Sequence, residues 1–123
     1  MSQTVVIYHN PRCSKSRQAL EVVQARAGEQ LEVVRYLEQP LSQSVLKRLL
    51  GALKAGTPGF EAHDLLRTRE APYAALGLSK SSTQAQILAA IAQHPVLLER
   101  PVIAVGERAV NGRPTERVNE LFD

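Results

Sequence analysis

The sequence predicts an α/β protein built on a four-stranded mixed β-sheet. Short runs of β-branched residues stand near both ends of the chain, whereas the middle carries leucines at helical spacing. At 123 residues, of which 44% are apolar, the chain has the length of one domain and enough apolar side chains for a core. We therefore predict one domain over residues 1–123, with a helical insertion at about residues 41–95.

The first part of the chain predicts a strand, a helix and a second strand. Thr4–Tyr8 (TVVIY) has the β-branched composition of a buried strand, and Leu31–Leu37 (LEVVRYL) resembles it. Between them, Leu20 and Val23 follow helical spacing and Gly28 is a typical helix end. A helix between two strands predicts a βαβ unit in which the strands are parallel.

The middle of the chain is predicted to be helical. A helix is expected to open at Ser42, followed by a loop at Gly56–Gly59 and a short helix from Glu61 to about Arg69. Thr83 is a predicted N-cap for a further helix, which ends before Pro95 because the residue preceding proline avoids the helical region. The predicted apolar faces of the two longer helices are Val45, Leu46, Leu49, Leu50 and Leu53 in one, and Ile87, Leu88 and Ile91 in the other.

The last part of the chain predicts a hairpin and a helix. Val102–Val105 and Arg108–Val110 are expected strands, and Gly106 at the first turn position suits a type II′ turn. Pro114 is expected to start a final helix that runs to about Phe122. The order β-α-β, helical insertion, β-β-α is a thioredoxin-like arrangement with a mixed four-stranded sheet.

The composition limits the classes of partner. The net charge of +3 favours an anion, but the positive residues are spread along the chain, and three Tyr, two Phe and no Trp argue against a base-stacking surface for nucleic acid. No apolar run approaches the ~20 residues of a membrane span. One cysteine excludes an internal disulfide and, with no signal peptide visible, predicts a reducing, cytoplasmic location.

That cysteine lies in a positively charged loop, YHNPRCSKSR. Cys13 follows the first predicted strand at the start of the next helix, where free backbone N–H groups and the helix dipole favour negative charge. Arg12, Lys15 and Arg17 add positive charge, and His9 offers a hydrogen bond. We therefore expect a nucleophilic thiolate beside a site for a small oxyanion.

Simpler interpretations stay open for these residues. Cys13 could be a buried apolar side chain, and His9 a structural histidine. Other cysteine chemistries lack their patterns: Ala19 occupies the place of the arginine in a phosphatase loop, and Ser16 that of the second sulfur in Cys-x-x-Cys. With no spaced ligand set, we expect no metal site.

Motifs along nearly the whole chain resemble the glutaredoxin-linked arsenate reductase family. They are Tyr8-His9-Asn10-Pro11-x-Cys13 followed by Ser16-Arg17, Tyr36-Leu37-Glu38-x-Pro40, Leu65-Leu66-Arg67, the run from Tyr73 to Leu78, His94-Pro95, Glu99-Arg100-Pro101 and Gly112-Arg113-Pro114. The resemblance implies a thioredoxin-like fold, in which a cis proline, here Pro101, lies opposite the active-site thiol.

The resemblance also implies roles for individual residues. Cys13 would be the catalytic nucleophile, and His9 and Ser16 would stabilise its thiolate. The oxyanion would be bound by arginines, whose planar guanidinium groups suit tetrahedral anions. These arginines are Arg67, Arg100 and Arg113, with Arg17 as an additional contact.

The mechanism implied by the resemblance needs no bound cofactor. Cys13 would attack arsenate, and glutathione as co-substrate, followed by glutaredoxin, would complete the reduction to arsenite. Two other classes remain open. One is a redox-responsive regulator similar to the Spx proteins, which bind RNA polymerase, and the other is a monothiol redox protein that depends on glutathione.

Overall fold

The computed structural model describes residues 4–112 and 115–122 and contains a four-stranded mixed sheet. Its strands are β1 (Val5–Tyr8), β2 (Leu31–Val34), β3 (Val102–Val105) and β4 (Arg108–Asn111), in the spatial order β2-β1-β3-β4. β1 and β2 are parallel, whereas β1–β3 and β3–β4 are antiparallel. The predicted α/β class and thioredoxin-like strand arrangement are confirmed.

Helix α1 (Ser14–Ala27) connects the two parallel strands and covers one face of the sheet. It ends at Gly28, whose φ of 55° is a conformation that glycine adopts without the steric penalty of a Cβ. Ala19 and Val23 are fully buried in a cluster with sheet residues such as Ile103. The predicted helix and its stop are confirmed.

Helical elements between β2 and β3 cover the other face. They are α2 (Gln43–Gly56), a 3₁₀ turn (Ala62–Leu65), α3 (Ala71–Ala75), α4 (Gln84–Gln93) and a second 3₁₀ turn (Pro95–Leu97). As predicted, Ser42 caps α2 by accepting a hydrogen bond from Val45 N–H, and Thr83 caps α4. The leucines of α2 and the isoleucines of α4 form the second core cluster.

Strand β2 is shorter than predicted, because it ends at Val34 rather than Leu37. Its parallel partner β1 ends opposite at Tyr8, so the residues beyond Val34 have no strand to pair with. The chain turns instead, with the N–H groups of Glu38 and Gln39 bonded to the Arg35 carbonyl.

Two further predictions of secondary structure were wrong in part. In place of the predicted helix from Glu61 to about Arg69, only the 3₁₀ turn Ala62–Leu65 forms. The chain leaves the helical conformation there because Leu66 forms a β-bridge with Leu98, in the segment before β3. The final helix is a 3₁₀ helix over Thr115–Leu121, and its predicted first residue, Pro114, lies outside the described residues. Helix α3 was not predicted.

Several local features complete the fold. Gly106 opens the β3–β4 hairpin with a φ of 60°, as the predicted turn requires, and the Arg100–Pro101 peptide bond is cis. At Gly56, α2 lies so close to β4 that an added Cβ would stand 2.1 Å from the Ala109 carbonyl oxygen. None of the helices in the described part of the chain has the length and apolar character needed to cross a membrane.

Candidate active site

Cys13 occupies the N-cap position of α1. Its backbone is extended, with φ −98° and ψ 123°, and its carbonyl accepts the first helical hydrogen bond, from Arg17 N–H at 3.0 Å. The N–H groups of Ser14, Lys15 and Ser16 therefore precede the first helical hydrogen bond and point along the dipole of α1 toward the cysteine loop. Only 8% of the Cys13 surface is exposed, so its thiol lies in a mostly buried, electropositive environment.

A buried histidine–serine pair stabilises this loop. His9 Nδ1 and Ser16 Oγ are 2.7 Å apart, and Ser16 Oγ also accepts a hydrogen bond from Asn10 N–H at 3.0 Å. With that lone pair used, the Ser16 hydroxyl can donate its proton to His9 Nδ1. Burial, and secondarily the positive charges of Arg35 and Arg17, lower the pKa of His9, which favours the neutral imidazole that accepts such a bond.

Arg67 and Arg100 come together at the edge of the helical region. The chain segments that carry them pair through two backbone bonds, Arg67 N–H to the Leu97 carbonyl at 2.8 Å and Glu99 N–H to the Leu65 carbonyl at 2.7 Å. Both arginines line one cavity of about 340 Å³, which is formed by Leu66, Arg67, Thr68, Arg69, Glu99 and Arg100. Two sequence-predicted anion-binding residues thus share a concave site.

Each of these arginines lies beside a carboxylate. Arg67 forms an ion pair with Glu70 at 2.8 Å, and an Arg100 guanidinium nitrogen lies 3.8 Å from Glu99 Oε1. The Arg100 side chain is only 11% exposed, which strengthens its electrostatic interactions relative to a surface arginine. A tetrahedral oxyanion entering the cavity would bind the guanidinium groups in competition with Glu70 and Glu99.

Of the two other predicted anion-binding arginines, the structure describes only Arg17. Arg17 is exposed and donates a hydrogen bond to the Pro11 carbonyl at 2.9 Å, so its guanidinium supports the backbone of the cysteine loop. Arg113 lies outside the described residues. The anion-binding roles of both stay predictions, as does the catalytic role of Cys13.

Tyr36 is a site residue that sequence reasoning missed. The sequence predicts it in a strand, but the early end of β2 turns its side chain into the helical core, where 2% of the residue is exposed. Burial raises the pKa of its phenol, the charge of Arg67 opposes this rise, and Cys13 adds to it. Tyr36 therefore packs in the core beside the segment that carries Arg67, whereas Cys13 is not among the residues that line the Arg67–Arg100 cavity. The signal available in the sequence was its motif, Tyr36-Leu37-Glu38-x-Pro40.

These groups suit nucleophilic attack on a small oxyanion. A thiol at a helix N-terminus is suited to be a nucleophile, and part-buried guanidinium groups are suited to offset the charge of an anion. Residues 4–112 and 115–122 contain no cluster of three His, Cys, Asp or Glu side chains able to hold a metal ion.

Comparison with known proteins gives one consistent family. The ArsC family matches residues 8–121. The chain is 40% identical over 119 residues to an arsenate reductase of Neisseria meningitidis serogroup B, covering 96% of this chain and 97% of that protein. It is 39% identical over 122 residues to the uncharacterized protein YfgD of Escherichia coli K12, covering 98% of each.

The fold agrees with these relatives. The structure of an arsenate reductase from Vibrio cholerae superposes with a TM-score of 0.87 at 38% identity, covering 98% of this chain and 99% of that one. The match extends from the cysteine loop through the helical region to the last 3₁₀ helix, so it includes every described residue of the candidate site. The chain therefore belongs to the ArsC family and has its thioredoxin-like fold.

Proposed function

We propose that this protein is an arsenate reductase in which Cys13 is the nucleophile and glutathione and glutaredoxin supply the electrons. The observation that carries the proposal is the placement of the chain's single cysteine at the N-terminus of α1, in a fold that also brings Arg67 and Arg100 into one cavity. Relatives at 36–40% identity that are named arsenate reductases support it.

The first step forms one bond and breaks another. The Cys13 thiolate attacks arsenic(V), a Cys13 Sγ–As bond forms, and an arsenate oxygen leaves as water after protonation. Arg67 and Arg100 bind the remaining oxygens and offset the charge that moves onto them. The N–H groups at the start of α1 are placed to donate hydrogen bonds to negative charge in the cysteine loop.

The later steps need a second thiol, because the chain has no second cysteine. A glutathione thiolate attacks the Cys13 sulfur of the adduct, a Cys13–glutathione disulfide forms, and the As–S electron pair leaves with arsenic, which departs as arsenite, arsenic(III). Glutaredoxin then takes the glutathionyl group by thiol–disulfide exchange and returns Cys13 to the thiol. Overall, two thiols lose two electrons and one arsenate gains them.

A coupled assay tests this proposal. Purified protein with arsenate, glutathione, glutaredoxin and glutathione reductase should oxidise NADPH at a rate that depends on arsenate, and Cys13→Ser should abolish that rate. NADPH oxidation that proceeds without arsenate on a glutathione mixed disulfide would instead indicate a monothiol redox protein. Retention of RNA polymerase by the purified protein, without any turnover, would indicate a regulator.

A further inference from the structure

The proposed mechanism leaves the hydroxyl of Tyr36, a residue buried in the helical core, without a role. The residue is 2% exposed, and within residues 4–112 and 115–122 no hydrogen bond joins its hydroxyl to another group. A phenol whose ring is packed in the core and whose hydroxyl has no described partner is able to donate a hydrogen bond to a bound molecule.

The position of Tyr36 follows from the turn after β2. The His9 N–H group bonds the Val34 carbonyl at 2.8 Å, which fixes the start of this turn beside the start of the cysteine loop. The neighbours of Tyr36 face that loop, because Arg35 and Leu37 line a cavity of about 240 Å³ together with Asn10 and Pro11.

The Tyr36 side chain lies on the other side of the turn, in the helical core. It belongs to the cluster that contains Leu65, Leu66, Leu97 and Leu98, the residues whose backbones pair to position Arg67 and Arg100. Tyr36 thus lies between the cysteine loop and the segments that form the Arg67–Arg100 cavity.

The charges near the phenol agree with this position. After burial, the charges that affect the pKa of this phenol are those of Arg67, Cys13, Glu99 and Glu70, which belong to the cysteine loop and to the segments around the cavity. Because burial raises the pKa of Tyr36, the hydroxyl keeps its proton throughout the neutral range and is available as a donor.

We propose that the Tyr36 hydroxyl is a substrate-binding group, which donates a hydrogen bond to the oxyanion held by Arg67 and Arg100 and orients it toward Cys13. This inference rests on the anion site of the proposed function. Two guanidinium groups supply charge, and a neutral donor fixed by core packing supplies orientation that flexible arginines lack.

Protection of Cys13 against iodoacetamide tests the inference without turnover. In the absence of glutathione, sodium arsenate should slow alkylation of wild-type Cys13, and the arsenate concentration for half-maximal protection should rise about tenfold in Tyr36→Phe, as expected for loss of one hydrogen bond to a charged group. The matched control is Tyr8→Phe, which removes the hydroxyl of a part-buried tyrosine on the sheet near Glu32 and Arg48 and should leave protection unchanged.

A second measurement uses the wild-type protein, so it does not depend on the folding of a variant. The chain has three tyrosines, and arsenate should shift the ring NMR signals of Tyr36 but not those of Tyr8. Equal protection in Tyr36→Phe and wild type, no protection of the wild type, or unchanged Tyr36 signals would each overturn the inference.

The outcomes separate this inference from the proposed function. Protection that weakens in Tyr36→Phe, in a protein that reduces no arsenate in the coupled assay, would support the anion-binding role of Tyr36 and contradict the reductase. Arsenate turnover with unchanged protection in Tyr36→Phe would support the reductase and overturn the role of Tyr36.

Discussion

At the scale of single residues, the candidate site combines groups proposed to bind an anion with groups that hold the cysteine loop in place. Arg67 and Arg100 belong to the first kind, because both line a cavity and neither is fully exposed. His9 and Ser16 belong to the second kind, because their described hydrogen bonds join each other and the loop backbone. Substitutions of the first kind should therefore lower arsenate turnover, and substitutions of the second kind should lower the stability of the fold.

Replacing Arg100 should affect turnover more than folding. In Arg100→Ala, kcat/KM for arsenate should fall by the equivalent of ~2–4 kcal/mol, because one charged donor to a buried oxyanion is lost. The coupled assay measures this, with Arg108→Ala, an exposed arginine on β4, as the control that should change little. Equal activity in both variants would show that Arg100 does not bind the reacting anion.

Replacing Ser16 should affect folding. Ser16→Ala leaves the Asn10 N–H group and His9 Nδ1 without their described partner in a buried place, so the free energy of unfolding should fall by ~1–3 kcal/mol. Ser14→Ala is the matched control, an exposed serine in the same turn of α1. Urea unfolding compares them, and similar midpoints for both variants would contradict a structural role for the pair.

His9 should make stability depend on pH. The pKa of His9 is lower in the folded protein than the ~6.5 of an unfolded chain, so the unfolded state binds a proton more readily. The stability that the fold gains from a neutral His9 is fully present above about pH 6.5. It is lost as the pH falls from the pKa of the unfolded chain through the lower pKa of the folded protein. Urea unfolding at pH 7.5 and 5.5 should show a larger loss of stability in wild type than in His9→Gln, and equal losses would contradict it.

At the scale of elements, the close approach of α2 to β4 is the contact most sensitive to side-chain size. Gly56 is the last residue of α2 and lies against the backbone of Ala109, whereas a Cβ added at Gly51 in the same helix would meet no atom within 4 Å. The two glycines therefore differ in tertiary environment although they share one helix. The sequence alone does not distinguish them.

Alanine substitutions at the two glycines should have opposite effects. Gly56→Ala should destabilise the protein by at least the ~1–3 kcal/mol typical of overpacking, because the new Cβ would stand 2.1 Å from the Ala109 carbonyl oxygen. Gly51→Ala should stabilise it by ~0.5–1 kcal/mol, since alanine is the better helix former. Thermal unfolding of both variants measures the difference, and a stabilised Gly56→Ala would contradict the close packing.

At the scale of the whole molecule, the sheet joins two apolar clusters. Consecutive residues of β3 point to opposite faces, so that Val102 belongs to the cluster of the helical region and Ile103 to the cluster under α1. Each cluster depends on the same strands. The predicted single domain should therefore unfold in one cooperative step.

A truncation on each side of the sheet tests this cooperativity. Leu53→Ala in the helical cluster should lower the free energy of unfolding by ~2–5 kcal/mol. Val23→Ala, in the buried face of α1, should lower it by a smaller amount because fewer atoms are removed. Each variant should keep one transition, with the same midpoint by far-ultraviolet circular dichroism and by hydrogen exchange of β3. Two separate transitions would contradict a single cooperative unit.

The sequence by itself determined most of the elements and the position of the cysteine. Helix starts and stops depend on local chemistry, so Ser42, Thr83 and Gly28 could be placed without knowledge of the fold. The β-branched runs were equally informative, because the composition of a strand is evident over a few adjacent residues. Cys13 at the start of α1 followed from the same local order of strand, loop and helix.

The tertiary structure alone decided where β2 ends and what lies around Cys13. The end of β2 depends on the length of its partner β1, and the residue pattern within Leu31–Leu37 carries no information about that length. That end turns Tyr36 into the core, and the pairing of Leu66 with Leu98 replaces a predicted helix and brings Arg67 beside Arg100. Both outcomes arise from contacts between segments far apart in the chain, and such contacts are set by packing rather than by local sequence preference.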